Sequence, residues 1–111
     1  MKRIKDILSS DYQLLTDEKH IDFKYKTIFA TDLLSSLIKY KQSEIALITM
    51  ILSPTTLLIS EMLDIKVCII VGDVIIDQAL IEKANKKNIA IIHTKLHTHQ
   101  VIIDFYQRNL I

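Results

Sequence analysis

KVCIIVGDVIIDQALIEKANKKNIAIIHT, residues 66–94, decides the fold. Its ends are short, continuous apolar runs, Lys66 to Val71 and Ile89 to Ile92, rich in β-branched residues and bounded by turn signals. Such runs are strands covered on both faces. Gly72-Asp73 closes the first. Asp77 then caps a helix that turns Leu80, Ile81 and Ala84 inward and Lys83, Lys86 and Lys87 outward. Those lysines fall near the helix C-terminus, where its dipole favours cations. Strand, helix and strand joined this tightly form a β-α-β unit, whose crossover makes the two strands parallel.

The alternation continues in both directions. Upstream, EIALIT (residues 44–49) is a third buried strand, and Ser53-Pro54 starts a helix to about Leu63 that buries Leu57, Leu58 and Met62: serine caps the free amides and proline suits the first helical turn. Downstream, Thr98 caps a last helix with Val101, Ile102, Phe105 and Tyr106 on one stripe. Before these, Thr31 or Asp32 starts a helix to Tyr40 with Leu33, Leu34, Leu37 and Ile38 inward. Ile21, Phe23 and Tyr25 alternate with Asp22, Lys24 and Lys26 as an edge strand wet on one side. Asp17 to His20 is a polar turn, Tyr12 to Thr16 a short strand, and Lys2 to Ser9 a short amphipathic helix. The expected fold is α/β: a single three-layer α/β/α domain over residues 1–111, with a mostly parallel sheet and an N-terminal edge strand.

Composition removes whole classes of function. The 111 residues include one Gly, one Pro and one Cys, are 50% hydrophobic and 24% charged, and carry a formal net charge of +1. A chain this long buries roughly two-thirds of its unfolded surface. One glycine cannot build a GxGxxG or GxxxxGKS phosphate loop. One cysteine excludes a disulfide framework, a four-cysteine zinc site and CxxC redox chemistry. Near-neutral charge leaves no electrostatic footprint for nucleic acid, and no apolar run is long enough to span a membrane. MKRIKDILSS has no apolar stretch behind its charges, so it is no secretory signal, and a cytoplasmic location is expected.

TDLLSSLIKYKQSEIALIT (31–49), a helix, VCIIVGD (67–73) and DQALIEKANKKNIAIIHTKLHTHQVIIDFY (77–106) together resemble the DRTGG domain family across essentially the whole chain. The C-terminal half is also similar to the N-terminal domain of HPr kinase/phosphorylase. The family's Asp-Arg-x-Thr-Gly-Gly motif, laid here without gaps, begins at Asp22; only that aspartate matches, and neither glycine is present. The resemblance implies a regulatory or ligand-sensing role without catalysis, and a homodimer. The kinase relatives carry their phosphate loop in a separate domain that has no counterpart here.

In a parallel sheet, ligands bind beyond the C-terminal strand ends. Those ends are Thr49-Met50, Gly72-Asp73 and His93-Thr94. Ser53, Thr55 and Thr56 open one helix nearby and Thr98 another, and free amides with hydroxyls at a helix start suit an anion. Met50 apart, these nine residues are the candidate ligand site, weighed against plain helix capping. His93, His97 and His99 could hold a phosphate or a metal. His-x-His needs an extended 95–99 segment, however, and the helix cap at Thr98 opposes that, so neither a metal nor a cofactor is expected. Cys68, inside VCIIV, behaves as a small hydrophobe. Val74, Ile75 and Ile76 are either a protein-contact loop or a turn folded onto the core. No acid-base pair or nucleophile constellation supports an enzyme. The expected function is a sensor module for a small anionic or nucleotide ligand; the alternative is a protein-interaction module without one.

Overall fold

The computed structural model describes residues 1–40 and 42–111. In chain order its elements are β1 (Lys2–Arg3), α1 (Ile4–Ile7), β2 (Gln13–Leu14), a 3-10 turn (Glu18–Asp22), β3 (Lys24–Tyr25), β4 (Thr27–Ala30), a second 3-10 segment (Leu34–Lys39), β5 (Ile45–Thr49), α2 (Pro54–Met62), β6 (Val67–Val71), α3 (Gln78–Lys86), β7 (Ala90–Thr94) and α4 (Thr98–Gln107). The main sheet runs β2-β7-β6-β5-β4, and a separate ribbon joins β1 to β3. β4 to β7 are parallel. β2 closes the other edge antiparallel, Gln13 opposite His93 and Leu14 opposite Ile92.

Every residue of β5 and β6 is buried, and successive side chains feed two cores. Ile45, Leu47, Cys68, Ile70 and Ile91 meet Leu34, Leu37, Leu57, Ile81 and Ala84 on one face. Ala46, Ile48, Val67, Ile69 and Ile92 meet Ile4, Ile7, Tyr12, Tyr25, Val101 and Phe105 on the other. The three-layer α/β/α arrangement is therefore as expected. Because β4 to β7 are neighbours in chain order, crossovers of one hand put the second 3-10 segment, α2 and α3 on a single face. The opposite face is covered by α4 and by the N-terminal residues, which wrap across it.

Several local expectations are corrected. The alternating residues 21–26 are not the edge strand: Ile21 and Asp22 finish a 3-10 turn, and only Lys24 and Tyr25 pair, with β1. The edge beside β5 is TIFA, Thr27–Ala30, whose Ile28 packs into one core and Phe29 into the other. A strand covered on both faces has no place for the lysine row of 21–26. The helix expected at 31–40 is 3-10. Its threefold repeat brings Leu34, Leu37 and Tyr40 to one side, Tyr40 against Phe29 with ring centroids 4.1 Å apart, and leaves Leu33 and Ile38 exposed. On α2 the inward face is Thr56, Leu57 and Ser60, so Leu58 and Met62 point outward rather than into the core. Tyr106 is likewise exposed rather than on the inward stripe of α4. Leu80 and Lys87 are each half-buried, and only Ile4–Ile7 of the first segment is helical.

Candidate functional site

Local chemistry sets the C-terminal ends of the strands. After β6 the chain needs Gly72, whose φ of +88° suits few other residues. It then turns to the face of α3. After β7 it turns to the opposite face, into α4. The two connections part, which is the arrangement that opens a crevice at the carboxyl ends of neighbouring strands. Two hydrogen bonds tie its floor together: the Gly72 N–H donates to the Leu96 carbonyl at 3.0 Å, and Nε2 of His93 lies 3.0 Å from the Gly72 carbonyl. With the carbonyl as acceptor, Nε2 is the protonated nitrogen of that ring.

Above this floor lies a cleft of about 450 Å³ lined by Met50, Val71, Gly72, His97, Thr98 and His99. A Cβ built on Gly72 meets nothing within 4 Å, so the backbone there borders open space. The first turn of α4 and the residue before it contribute three lining residues, and the leading N–H groups of the helix have no acceptor within it. The His97 and His99 rings lie within 3° of parallel, with centroids 6.2 Å apart. His97, not Thr98, is the residue that precedes the helix, and its N–H is held by Oε1 of Gln100 at 2.8 Å. That contact replaces the hydroxyl cap expected of Thr98, which is the first helical residue. Chemically the cleft offers flat imidazole faces, the half-exposed thioether of Met50 and a positive helix end. This set suits a planar ring bearing an anionic group.

The nine residues singled out from the sequence divide. Gly72 and Thr98 line this cleft. His93 and Thr94 lie on the other side of the loop after β7, in a second cleft of about 390 Å³ with Ser10, Asp11, Gln13 and Lys95. Thr94 is buried, its Oγ1 accepting the Leu96 N–H. Thr49 is buried too, its hydroxyl given to Asp32 at 2.8 Å. Ser53 and Thr56 cap α2: Ser53 Oγ accepts the Thr56 N–H, and Thr56 Oγ1 takes the Ser53 N–H and donates to the Ile51 carbonyl. Thr55 and Asp73 are exposed outside both clefts. In the loop, Ile75 is 98% exposed, while Val74 and Ile76 pack against the core beneath α3. Cys68 is fully buried beside Ser60, and burial pushes its thiol up to about 11.

Met50, Val71, His97 and His99 are the lining residues absent from the nine candidates. Three histidines within residues 93–99 were the available signal, but nothing in their spacing places Met50 beside them. Asp22, the matching residue of the family motif, sits at the opposite end of the sheet, on a separate cleft with Phe23, Glu44 and Lys66. Among the described residues no group of three or more His, Cys, Asp or Glu could hold a metal ion, and no helix is long and apolar enough to cross a membrane.

No family model and no curated protein matches the chain. Among solved structures, its fold is similar to the CBS and DRTGG domains of the regulatory region of Clostridium perfringens pyrophosphatase, complexed with the activator diadenosine tetraphosphate. The TM-score is 0.69 at 18% identity over 87% of this chain, and the chain spans 42% of the length of that structure. The DRTGG-like fold implied by the sequence resemblance is the fold observed, and the similar structure is a regulatory region rather than a catalytic one.

Proposed function

We propose that this chain is a non-catalytic regulatory module that takes a small anionic ligand, specifically a nucleotide, in the cleft between the carboxyl ends of β5 and β6 and the start of α4, and that acts as a homodimer. The observation that carries the reading is the meeting, in one cleft, of the α4 N-terminus with two parallel imidazole rings and an open backbone at Gly72. The similar regulatory region was crystallised with a dinucleotide activator, which supports the same ligand class. In this reading His93 supports the cleft from behind through its contact with the Gly72 carbonyl, and the buried Thr94 is scaffold. Ser53, Thr55, Thr56, Thr49 and Asp73 act in this reading as scaffold.

One observation favours a second reading, a protein-interaction module. Ile75 stands 98% exposed on a loop next to two half-buried apolar residues. Ile75→Asp tests it without disturbing the core, whereas Ile76 has core contacts that make it a poor probe. The decisive experiment is thermal unfolding with and without AMP, ATP, diadenosine tetraphosphate and inorganic phosphate, alongside mass by light scattering. Binding to the folded state raises the midpoint, and the reading requires that rise for a nucleotide and its loss in His97→Ala/His99→Ala. Indifference to all four ligands at millimolar concentration overturns the sensor. A change of mass in Ile75→Asp then assigns the loop to an interface.

A further inference from the structure

His20 reads from its neighbours as part of a solvated turn, yet its side chain has no exposed surface. The ring stacks on Phe23, with centroids 4.6 Å apart and planes 26° from parallel. Its Nδ1 is 3.0 Å from Thr16 Oγ1, and its Nε2 is buried without a hydrogen-bond partner among the described residues. Thr16 is no bystander. Its Oγ1 accepts the Ile91 N–H of β7 at 3.2 Å, one residue beyond the Leu15 N–H bond to the Ile91 carbonyl at 2.8 Å. The threonine hydroxyl thus extends the β2–β7 pairing where the backbone has turned away, and Asp17 continues the attachment through its N–H bond to Asn85 of α3 at 2.9 Å.

Neutral imidazole fits this site as the Nδ1–H tautomer, which donates to Thr16 Oγ1 and leaves an unprotonated Nε2 bare. The protonated ring has two N–H donors and the site supplies one acceptor. A buried donor without a partner, carrying part of a positive charge, is costly. The surrounding charges offer little relief. Burial is the larger influence and holds the ring's pKa below the ordinary value of 6.5; on its own turn Asp17 works against that shift and Lys19 adds to it. From the packed α1, Lys5 is turned onto Asp22 at 3.4 Å, and Asp6 is occupied by the Arg3 N–H. Beyond Phe23 lies another cation, Lys66 Nζ, 5.9 Å from the ring centroid.

We propose that His20 is an acid-sensitive latch: protonation of its ring releases the segment 15–23 from the edge of β7. The sign follows from linkage. The unfolded or released segment takes up a proton near pH 6.5 and the docked one does not. Docking is therefore fully stable above that pH and weakens as pH falls below it, the released fraction rising by up to tenfold per pH unit. Thr16, His20 and Phe23 line neither cleft at the carboxyl ends of the strands, so the latch bears on the fold independently of the proposed ligand.

The test is amide hydrogen exchange on the full chain between pH 7.5 and 5, corrected for intrinsic rates, with the His20 ring followed by NMR. The expected result is loss of protection at residues 15–23 and at the Ile91 amide below pH 6.5, while β5 and β6 hold theirs. His20→Asn, which keeps a group able to reach Thr16 but does not titrate there, should show no such pH dependence. The same acid release in that variant overturns the proposal. If the variant does not fold, the wild-type ring decides: titration in the docked state near 6.5, without loss of protection, overturns it equally.

Discussion

Arg108→Ala tests how the N-terminal wrap is held to the last helix. Arg108 closes the C-terminus of α4, where a cation complements the helix dipole. Its Nη2 donates to the carbonyls of Asp6 and Ile7 at 3.0 and 3.1 Å, groups left without an intrahelical donor at the end of α1. Nη1 donates to Asp104 Oδ2 at 3.1 Å. The Tyr12 hydroxyl donates to that same oxygen at 2.8 Å, and the guanidinium lies 5.6 Å from the Tyr12 ring centroid. The side chain is 31% exposed, so each contact is worth less than in a dry interior. We take about 1 kcal/mol for each carbonyl bond, a few tenths for the i,i+4 ion pair and about 0.5 kcal/mol for the cation–π contact.

The expected loss is about 2–3 kcal/mol, near 10 °C in Tm for a chain of this size. Urea unfolding at neutral pH measures it, with the slope required to match wild type so that the difference is one of stability alone. Arg108→Lys separates charge from geometry. Lysine keeps the pairing with Asp104 but lacks the planar fork that spans two carbonyls, so it should recover less than half of the loss. A loss under about 0.5 kcal/mol in Arg108→Ala, or full rescue by lysine, refutes the clamp as described.

Three further outcomes follow from single residues. Gly72→Ala should cost about 1 kcal/mol, because the added methyl meets open space and only the positive φ is penalised; urea unfolding showing no loss would contradict the backbone geometry. Glu44→Gly should gain about 0.5–1 kcal/mol, since Glu44 holds φ of 59° with a side chain that makes no hydrogen bond to the described residues, and thermal unfolding reads the gain. Cys68 should resist a thiol reagent at pH 8 in the native protein and react at once in denaturant, because burial holds its thiol near 11; rapid native labelling would place it elsewhere.

The buried runs at 44–49, 66–71 and 89–92 were legible because parallel strands covered on both faces leave a continuous apolar signature. Ser53 and Asp77 were legible as caps because side-chain oxygens before a helix have few other uses. TIFA was not read, since four residues without alternation compete poorly with the clean period of 21–26. The 3-10 segment was misread because Leu33, Leu34, Leu37 and Ile38 fit a period of 3.6, while the local bonds of Thr31 and Ser36 to Leu33 tighten the chain to a period of three. For α2, apolar residues on every side gave no way to choose the inward face. The cleft draws on residues 50, 71–72 and 97–99, and only the sheet brings these together. His20 was illegible for a related reason. Its sequence neighbours are charged, and what buries it is Phe23 and the turn of chain around Thr16.

How the chain spends its single glycine bears on where the site lies. A helix commonly ends with a residue in the left-handed region, most often glycine, followed by an apolar contact. Here Asp64, Asn88 and Asn109 fill that position with φ of 56°, 55° and 60°. The residue after each bonds back along the helix, Ile65 to Ser60, Ile89 to Ala84 and Leu110 to Phe105, at 2.8 to 3.0 Å. Ile65, Ile89 and Leu110 are buried, so one device stops a helix and anchors the segment that follows. Asp and Asn tolerate that conformation because their short side chains bond locally. Glycine is thus dispensable at all three helix ends. At residue 72, φ moves out to +88° and the backbone opens onto the cleft with no atom within reach of a Cβ. A side chain there would be strained and would also project into that space. The φ of +88° is by itself enough to call for glycine here and not at the three helix ends, and the open backbone that results is the surface on which the proposed ligand would lie.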